Sequence, residues 1–315
     1  LWRSPAFEGE LLNIDARGVR RTPGGECSPG ALKVYALGGS AMWGWGAPDW
    51  GTIPAYLQRE LSASLDEPVC VVNYAEQAFV STQDLVQLQL LLAAGEVPDH
   101  VILYSGVNDV FAAEQNGAPL LHQNLQDIVT RFERPGPSLL SWLMARSTVR
   151  LAQTAVSVLG LGRGGSEDSA GRGLENGPAG DGSSTEELAD AVVDAYVRGY
   201  ESVAALAEAF GFGYDVVWQP HILIGGEPLT AEEQEMPAGL SWVVTLSPRL
   251  VELFRLTSGR VQVEAAVHEH LHYLGDAFDE VEAQLWIDTW GHVTPEGNEI
   301  VAGHLASLLR PSLGR

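Results

Sequence analysis

Apolar runs in this chain alternate with helix-patterned segments, and each run stops at small polar residues. Residues 31–37 (ALKVYAL) end at Gly38-Gly39-Ser40, Val69–Val72 ends at Asn73, and His100–Tyr104 ends before Gly106-Val107-Asn108. Helical spacing follows the first run at Ile53, Leu57 and Leu61 and the second at Leu85, Leu88 and Leu92. Strands alternating with helices at this pace predict a parallel sheet covered on both faces. In such sheets reactive groups collect beyond the carboxyl ends of the strands. Ser40, Asn73 and Asn108 are therefore expected on one rim.

Later segments continue the pattern. Ser184 and Glu187 have capping-box spacing before a helix that runs to Phe210 and stops at Gly211. Tyr214–Trp218 reads as the fourth strand, a helix is expected from about Pro248, and Gln284–Ile287 reads as the last strand. Pro295–Leu309 closes the chain as a helix, with Thr294 as its cap. Residues 1–30 read as an extension packed on the domain formed by 31–315. Residues 112–213 read as a variable insertion. Its stretch 162–185, rich in Gly, Ser and acidic residues, cannot bury enough apolar surface to offset ordering entropy and is expected to be a flexible loop.

The formal net charge of −23 repels phosphate backbones and excludes nucleic acid as a partner. No apolar run reaches 18 residues. The chain opens on Leu1, leaving room for a signal or N-terminal membrane tether upstream. Cys27 and Cys70 suit either one disulfide in an oxidising compartment or two buried thiols. An extracytoplasmic location is the expectation.

Four stretches carry chemistry. A serine at a strand-to-helix turn, as in Gly38-Gly39-Ser40, presents its hydroxyl clear of the sheet, beside helix-start N–H groups that favour negative charge. Asn108, in Gly106-Val107-Asn108-Asp109, can donate its amide N–H to an oxyanion; Asp109 can brace that turn. Asp288 and His292 stand before the last helix, where a carboxylate can fix a histidine tautomer and the histidine can accept a serine proton. The segment Asn73–Ala78 can add one backbone N–H. Trp43 and Trp45, just after Ser40, are candidates to line a substrate pocket or to pack in the core.

Taken together, Gly-Gly-Ser40, the Asn73-led turn, Gly106-x-Asn108-Asp109 and the late Asp288/His292 pair resemble the SGNH (GDSL-like) hydrolase superfamily over roughly residues 31–110 and 214–310. Val217-Trp-Gln-Pro-His221 is similar to the fourth-strand end of larger bacterial members, which often carry an N-terminal anchor; His221 joins the pocket candidates. The resemblance implies a flavodoxin-like three-layer α/β/α fold with a central parallel sheet and a helical insertion. It implies Ser40 as nucleophile and His292 as base. The implied oxyanion hole comprises Ser40, Ala78 and Asn108. The implied activity is hydrolysis of an acyl or acetyl ester, on a small molecule, glycan or lipid, without cofactor or metal. Two positions depart from the family: Ala78 stands where it has glycine, and Thr289 occupies the usual place of the acid. Either Asp288, four residues before His292, or a backbone carbonyl is left to orient the imidazole.

Two other readings compete. A glycan- or lipid-binding protein without activity would use the same fold. His268-Glu269-x-x-His272 matches the zinc-protease pattern, which requires both histidines on one helix face.

Overall fold

The computed structural model describes residues 1–133, 183–226, 228–239 and 247–314. The chain starts with a small antiparallel pair, β1 (Phe7–Glu8) and β2 (Asn13–Ile14). The main sheet comprises β3 (Leu32–Gly38), β4 (Val69–Asn73), β5 (His100–Ser105), β6 (Gly213–Trp218) and β7 (Leu271–Tyr273). Its order is β4-β3-β5-β6-β7 and every pairing is parallel. Numbered by appearance within this sheet, that is 2-1-3-4-5, the flavodoxin-like order expected.

The central strands are apolar on both faces, as a sheet sandwiched between helices requires. Their side chains divide with period two. Tyr35, Leu37, Val101, Leu103, Val216 and Trp218 face one core. Against it pack α3 (Ser81–Ala93), α4 (Val107–Asn116), α6 (Thr185–Phe210) and α8 (Pro248–Ala265). Val34, Ala36, Ile102, Tyr104 and Val217 face the other. That side carries α1 (Ser40–Trp43), α2 (Ile53–Ser64) and α9 (Pro295–Leu313). Two further helices are α5 (Leu125–Glu133) and α7 (Ala231–Gly239), and Met236 of α7 packs against the second core. The fold is a three-layer α/β/α sandwich.

Helix boundaries follow local chemistry. Thr52 Oγ1 accepts from Ala55 N at the start of α2. Ser184 and Glu187 cap α6 reciprocally, and Gly211 ends it with φ 78°. Thr294 Oγ1 accepts from Gly297 N at the start of α9.

One strand differs from expectation. Gln284–Ile287 does not join the sheet: Trp286 bridges Val293 in an antiparallel hairpin instead. The fifth strand is the short Leu271–Tyr273, with His272 at its centre. Much of the region read as insertion, including 162–182 of the expected flexible loop, lies outside the described residues; helix α6 within it packs in one core layer.

The N-terminal residues run along the β4 edge and behind the β3 end. Cys27 and Cys70 form a disulfide. Arg20, almost fully buried, donates to Asp49 Oδ1 and to the carbonyls of Trp43, Gly44 and Ala47. A buried charge needs this degree of satisfaction.

Candidate active site

In this strand order the direction of winding reverses between β3 and β5, and ligands bind in the crevice outside the carboxyl ends there. Ser40 follows β3 after the single residue Gly39, and Asn108 is the second residue of α4 after β5. Both therefore flank the crevice. Ser40 is the first residue of α1, where backbone N–H groups have no intrahelical acceptor. Gly39 gives the turn its shape, because a Cβ there would collide with Asn108 Nδ2 and sit 3.1 Å from Phe79 O. Gly106, at φ 117°, likewise has no room for a side chain against the Trp218 ring.

His292 reaches this point from the other end of the sequence. Its Nε2 lies 2.7 Å from Ser40 Oγ, and its Nδ1 lies 2.6 Å from Asp288 Oδ2. With the carboxylate on Nδ1, that nitrogen carries the proton and Nε2 is free to accept from the serine. The hairpin explains the four-residue spacing. Ile287 N donates to His292 O and Thr294 N to Leu285 O, so residues 288–291 form the tip. Asp288 Oδ1 accepts from Trp290 N at 2.9 Å and from His292 N at 3.3 Å, while Gly291 turns at φ 87°. The side chain thus both shapes the tip and touches the imidazole. No backbone carbonyl is needed at Nδ1.

Thr289, where the resembling family has its acid, is buried and turns its carbonyl elsewhere. His221 Nε2 donates to it at 3.1 Å. His221 Nδ1 accepts from Leu223 N, and the ring stacks on Phe254 at 4.2 Å. Burial pushes the His221 pKa down to about 4, so the ring is neutral with its proton on Nε2. The hairpin is anchored at its base too. Glu233 of α7 accepts from Leu285 N, Trp286 N and both donors of Thr230.

The Asn108 side chain is fixed by two partners. Its Nδ2 donates to Phe79 O at 2.8 Å, and its Oδ1 accepts from Gln123 Nε2 at 2.9 Å. Asp109 accepts from Ser81 N and Oγ, tying the start of α4 to the start of α3. Burial raises the Asp109 carboxyl to about 6, against the lowering effect of the Ser81 hydrogen bonds. Ala78 adopts the left-handed conformation at φ 60°. The backbone keeps the angle a glycine would favour, at a cost of roughly 1–2 kcal/mol for an L side chain. Behind this loop, Glu76 accepts from Ser4 N, Ser4 Oγ and Gln77 N.

Trp43 takes the core reading of its two: it is buried between helix and sheet, with the Arg20 guanidinium 4.5 Å from its ring centroid. His221 is fully buried and braces the hairpin instead of facing substrate. The zinc pattern is not on one helix: His268 follows α8 and pairs with Glu264, while His272 lies on β7 and pairs with Asp215. Among the described residues no group of three or more His, Cys, Asp or Glu is placed to hold a metal ion. Trp45, by contrast, is half-exposed with its ring centroid 5.9 Å from that of His292. Exposed Ile287 lies against neighbouring Gly46. Gln123, Glu233 and Arg20 carry no motif; only a polar residue next to an expected site residue, as Gln123 is in the fold, could have drawn attention to them.

No protein-family model matches the sequence, and no curated protein matches it. Among solved structures, the chain is similar to a catalytic mutant of an acetylxylan esterase from Geobacillus stearothermophilus. The identity is 14%, covering 90% of this chain and 95% of that one, with a TM-score of 0.46. It is also similar to a lipase/acylhydrolase from Enterococcus faecalis (14% identity, 89% and 96% covered, TM-score 0.42). A third is a G-D-S-L family lipolytic protein from Veillonella parvula (13% identity, 88% and 97% covered, TM-score 0.41).

Proposed function

We propose that this chain is a serine ester hydrolase of the SGNH kind, with Ser40 as nucleophile, His292 as general base and Asp288 as the carboxylate that orients it. One observation carries the reading: the unbroken hydrogen-bonded series Ser40 Oγ, His292 Nε2, His292 Nδ1, Asp288 Oδ2, with links of 2.7 and 2.6 Å. Serine is a poor nucleophile unless a base within this reach removes its proton.

In the mechanism proposed, Ser40 Oγ attacks the ester carbonyl as its proton passes to His292 Nε2. Asp288 stabilises the imidazolium that forms. The carbonyl oxygen becomes an oxyanion facing the Ser40 and Ala78 N–H groups and the Asn108 amide. His292 then returns the proton to the leaving alkoxide. Water, deprotonated by His292, releases the acyl group and restores the serine. Trp45 and Ile287 offer the attacking side an apolar lip. The Cys27–Cys70 bond supports an oxidising, extracytoplasmic setting. Among the described residues no helix is long and apolar enough to cross a membrane.

Turnover of p-nitrophenyl esters from acetate to octanoate, alongside acetylated glycans, tests the reading and sorts the acyl group. Removal of one oxyanion donor typically lowers turnover by about 10²–10³-fold. Asn108→Ala should do so with KM little changed, and Ser40→Ala should abolish the activity. An Asn108→Ala protein with undiminished turnover would contradict the oxyanion role.

A further inference from the structure

Asn108 has an amide whose two ends are nearly identical in shape and opposite in chemistry. If it is to stabilise an oxyanion, its NH2 end must point into the site and its carbonyl away. One N–H is held by Phe79 O at 2.8 Å. This bond alone selects an orientation through a single contact. The second contact is at the other end: Gln123 Nε2 donates to Asn108 Oδ1 at 2.9 Å. Gln123 is itself buried, in the segment between α4 and α5. An amide rotated by half a turn would set its NH2 against the Gln123 NH2 and its carbonyl against the Phe79 carbonyl, breaking both bonds. The remaining Nδ2 hydrogen is then left for the space beside Gly39, whose backbone lies directly against Nδ2.

We infer that Gln123 is a positioning residue for the oxyanion hole: it fixes which end of the Asn108 amide faces the substrate carbonyl. This rests on the esterase reading above. Donation to Oδ1 also draws electron density from the amide nitrogen, which sharpens Nδ2 as a donor through hydrogen-bond cooperativity.

Three variants test it, with p-nitrophenyl acetate as substrate. Gln123→Met keeps the length and loses the donor. A net hydrogen bond of about 0.5–1.5 kcal/mol corresponds to a fall in kcat of up to roughly tenfold, with KM within about twofold. Gln123→Glu is the diagnostic change. Its carboxylate cannot donate to Oδ1 and attracts Nδ2, favouring the rotated amide. At neutral pH its kcat should fall toward the loss seen on removing a donor, about 10²-fold. As pH is lowered the introduced carboxyl regains a proton it can donate, so the ratio of Gln123→Glu to wild-type kcat should climb. His122, next in sequence and lowered by burial, and Asp109, next to Asn108 and raised to about 6, titrate nearby, so Gln123→Met, which keeps both groups and lacks the introduced carboxyl, serves as the reference at each pH. A residue that merely packs would give no such pH-dependent ratio. Gln123→Asn, which keeps a donor on a shorter arm, should retain more kcat than Gln123→Met.

A Gln123→Glu enzyme with wild-type kcat, or one whose deficit equals that of Gln123→Met at every pH, overturns the inference. If Gln123→Glu fails to fold, the Met and Asn variants decide: equal kcat in the two overturns it. A wild-type protein that hydrolyses no ester overturns the esterase reading and the inference together. Active wild type with a neutral Gln123→Met change overturns the inference alone.

Discussion

The Asp288 carboxylate meets His292 Nδ1 at 2.6 Å although only four residues separate them, because the same side chain also caps the tip of their shared hairpin. Asp288 therefore makes two kinds of contact, one with the hairpin tip and one with the imidazole. Asp288→Asn should lower kcat by about 10²–10⁴-fold, the range expected when a base loses the partner that fixes its tautomer. Moving the acid to the neighbouring position should not restore activity. Thr289 is buried and its carbonyl is held by His221, so Asp288→Ala combined with Thr289→Asp would bury an unpaired carboxylate. Steady-state kinetics of the single and double variants check this; recovery in the double variant would refute it.

His221 makes the fold acid-sensitive. Its folded pKa of about 4 lies below the ordinary histidine value of 6.5, so the unfolded chain binds the proton more readily. Stability is then present above pH 6.5 and falls as pH drops toward 4. The loss amounts to about 3 kcal/mol over that window. Asp109 acts in the opposite direction: raised to about 6, it favours the folded state at low pH and loses that contribution between about pH 4 and 6. Urea unfolding at several pH values separates the two. The stability difference between wild type and His221→Asn should shrink by about 3 kcal/mol from pH 7 to 4. A pH-independent difference would show that His221 is not the group.

Arg20 should be a stability residue. It satisfies three carbonyls of residues 43–47 and the Asp49 carboxylate from a nearly closed position. Removing one partner of a buried ion pair typically costs about 3–5 kcal/mol. Arg20→Ala should lose that much in chemical denaturation. An effect below about 1 kcal/mol would place the pair among exposed ones.

Ala78 carries strain that glycine would remove. Ala78→Gly should raise stability by up to about 1 kcal/mol, the left-handed penalty less the extra freedom gained by the unfolded chain. Clear destabilisation by this change would mean that the Cβ contributes packing not offset by its conformation. Thermal unfolding of the variant provides the number.

Much of this was legible beforehand for a physical reason. Strands β3, β4 and β5 are apolar runs of five to seven residues closed by small polar residues, so their identity and the rim they form follow from period and punctuation alone. Ser40, Asn108, Asp288 and His292 are of residue types whose chemistry is recognisable at such ends. β7 escaped because an edge strand of three residues, two of them half-exposed, has no pattern to detect. Gln284–Ile287 is a short apolar run like those of the sheet, but it forms one arm of the hairpin that holds Asp288 and His292. His221 stands among the pocket candidates, and Trp43 between pocket and core, because a sequence does not reveal which side of a helix or strand end is covered. Gln123 and Glu233 escaped for another reason: their roles are to hold other residues, and holding has no signature in residue type.

The most direct test of the central claim is covalent. Treatment with a fluorophosphonate, followed by peptide mass spectrometry, should find one adduct, on Ser40, with labelling much slowed by His292→Ala and absent in Ser40→Ala. A protein that remains unlabelled, or that carries the phosphonate on another residue while Ser40→Ala labels normally, would contradict the account.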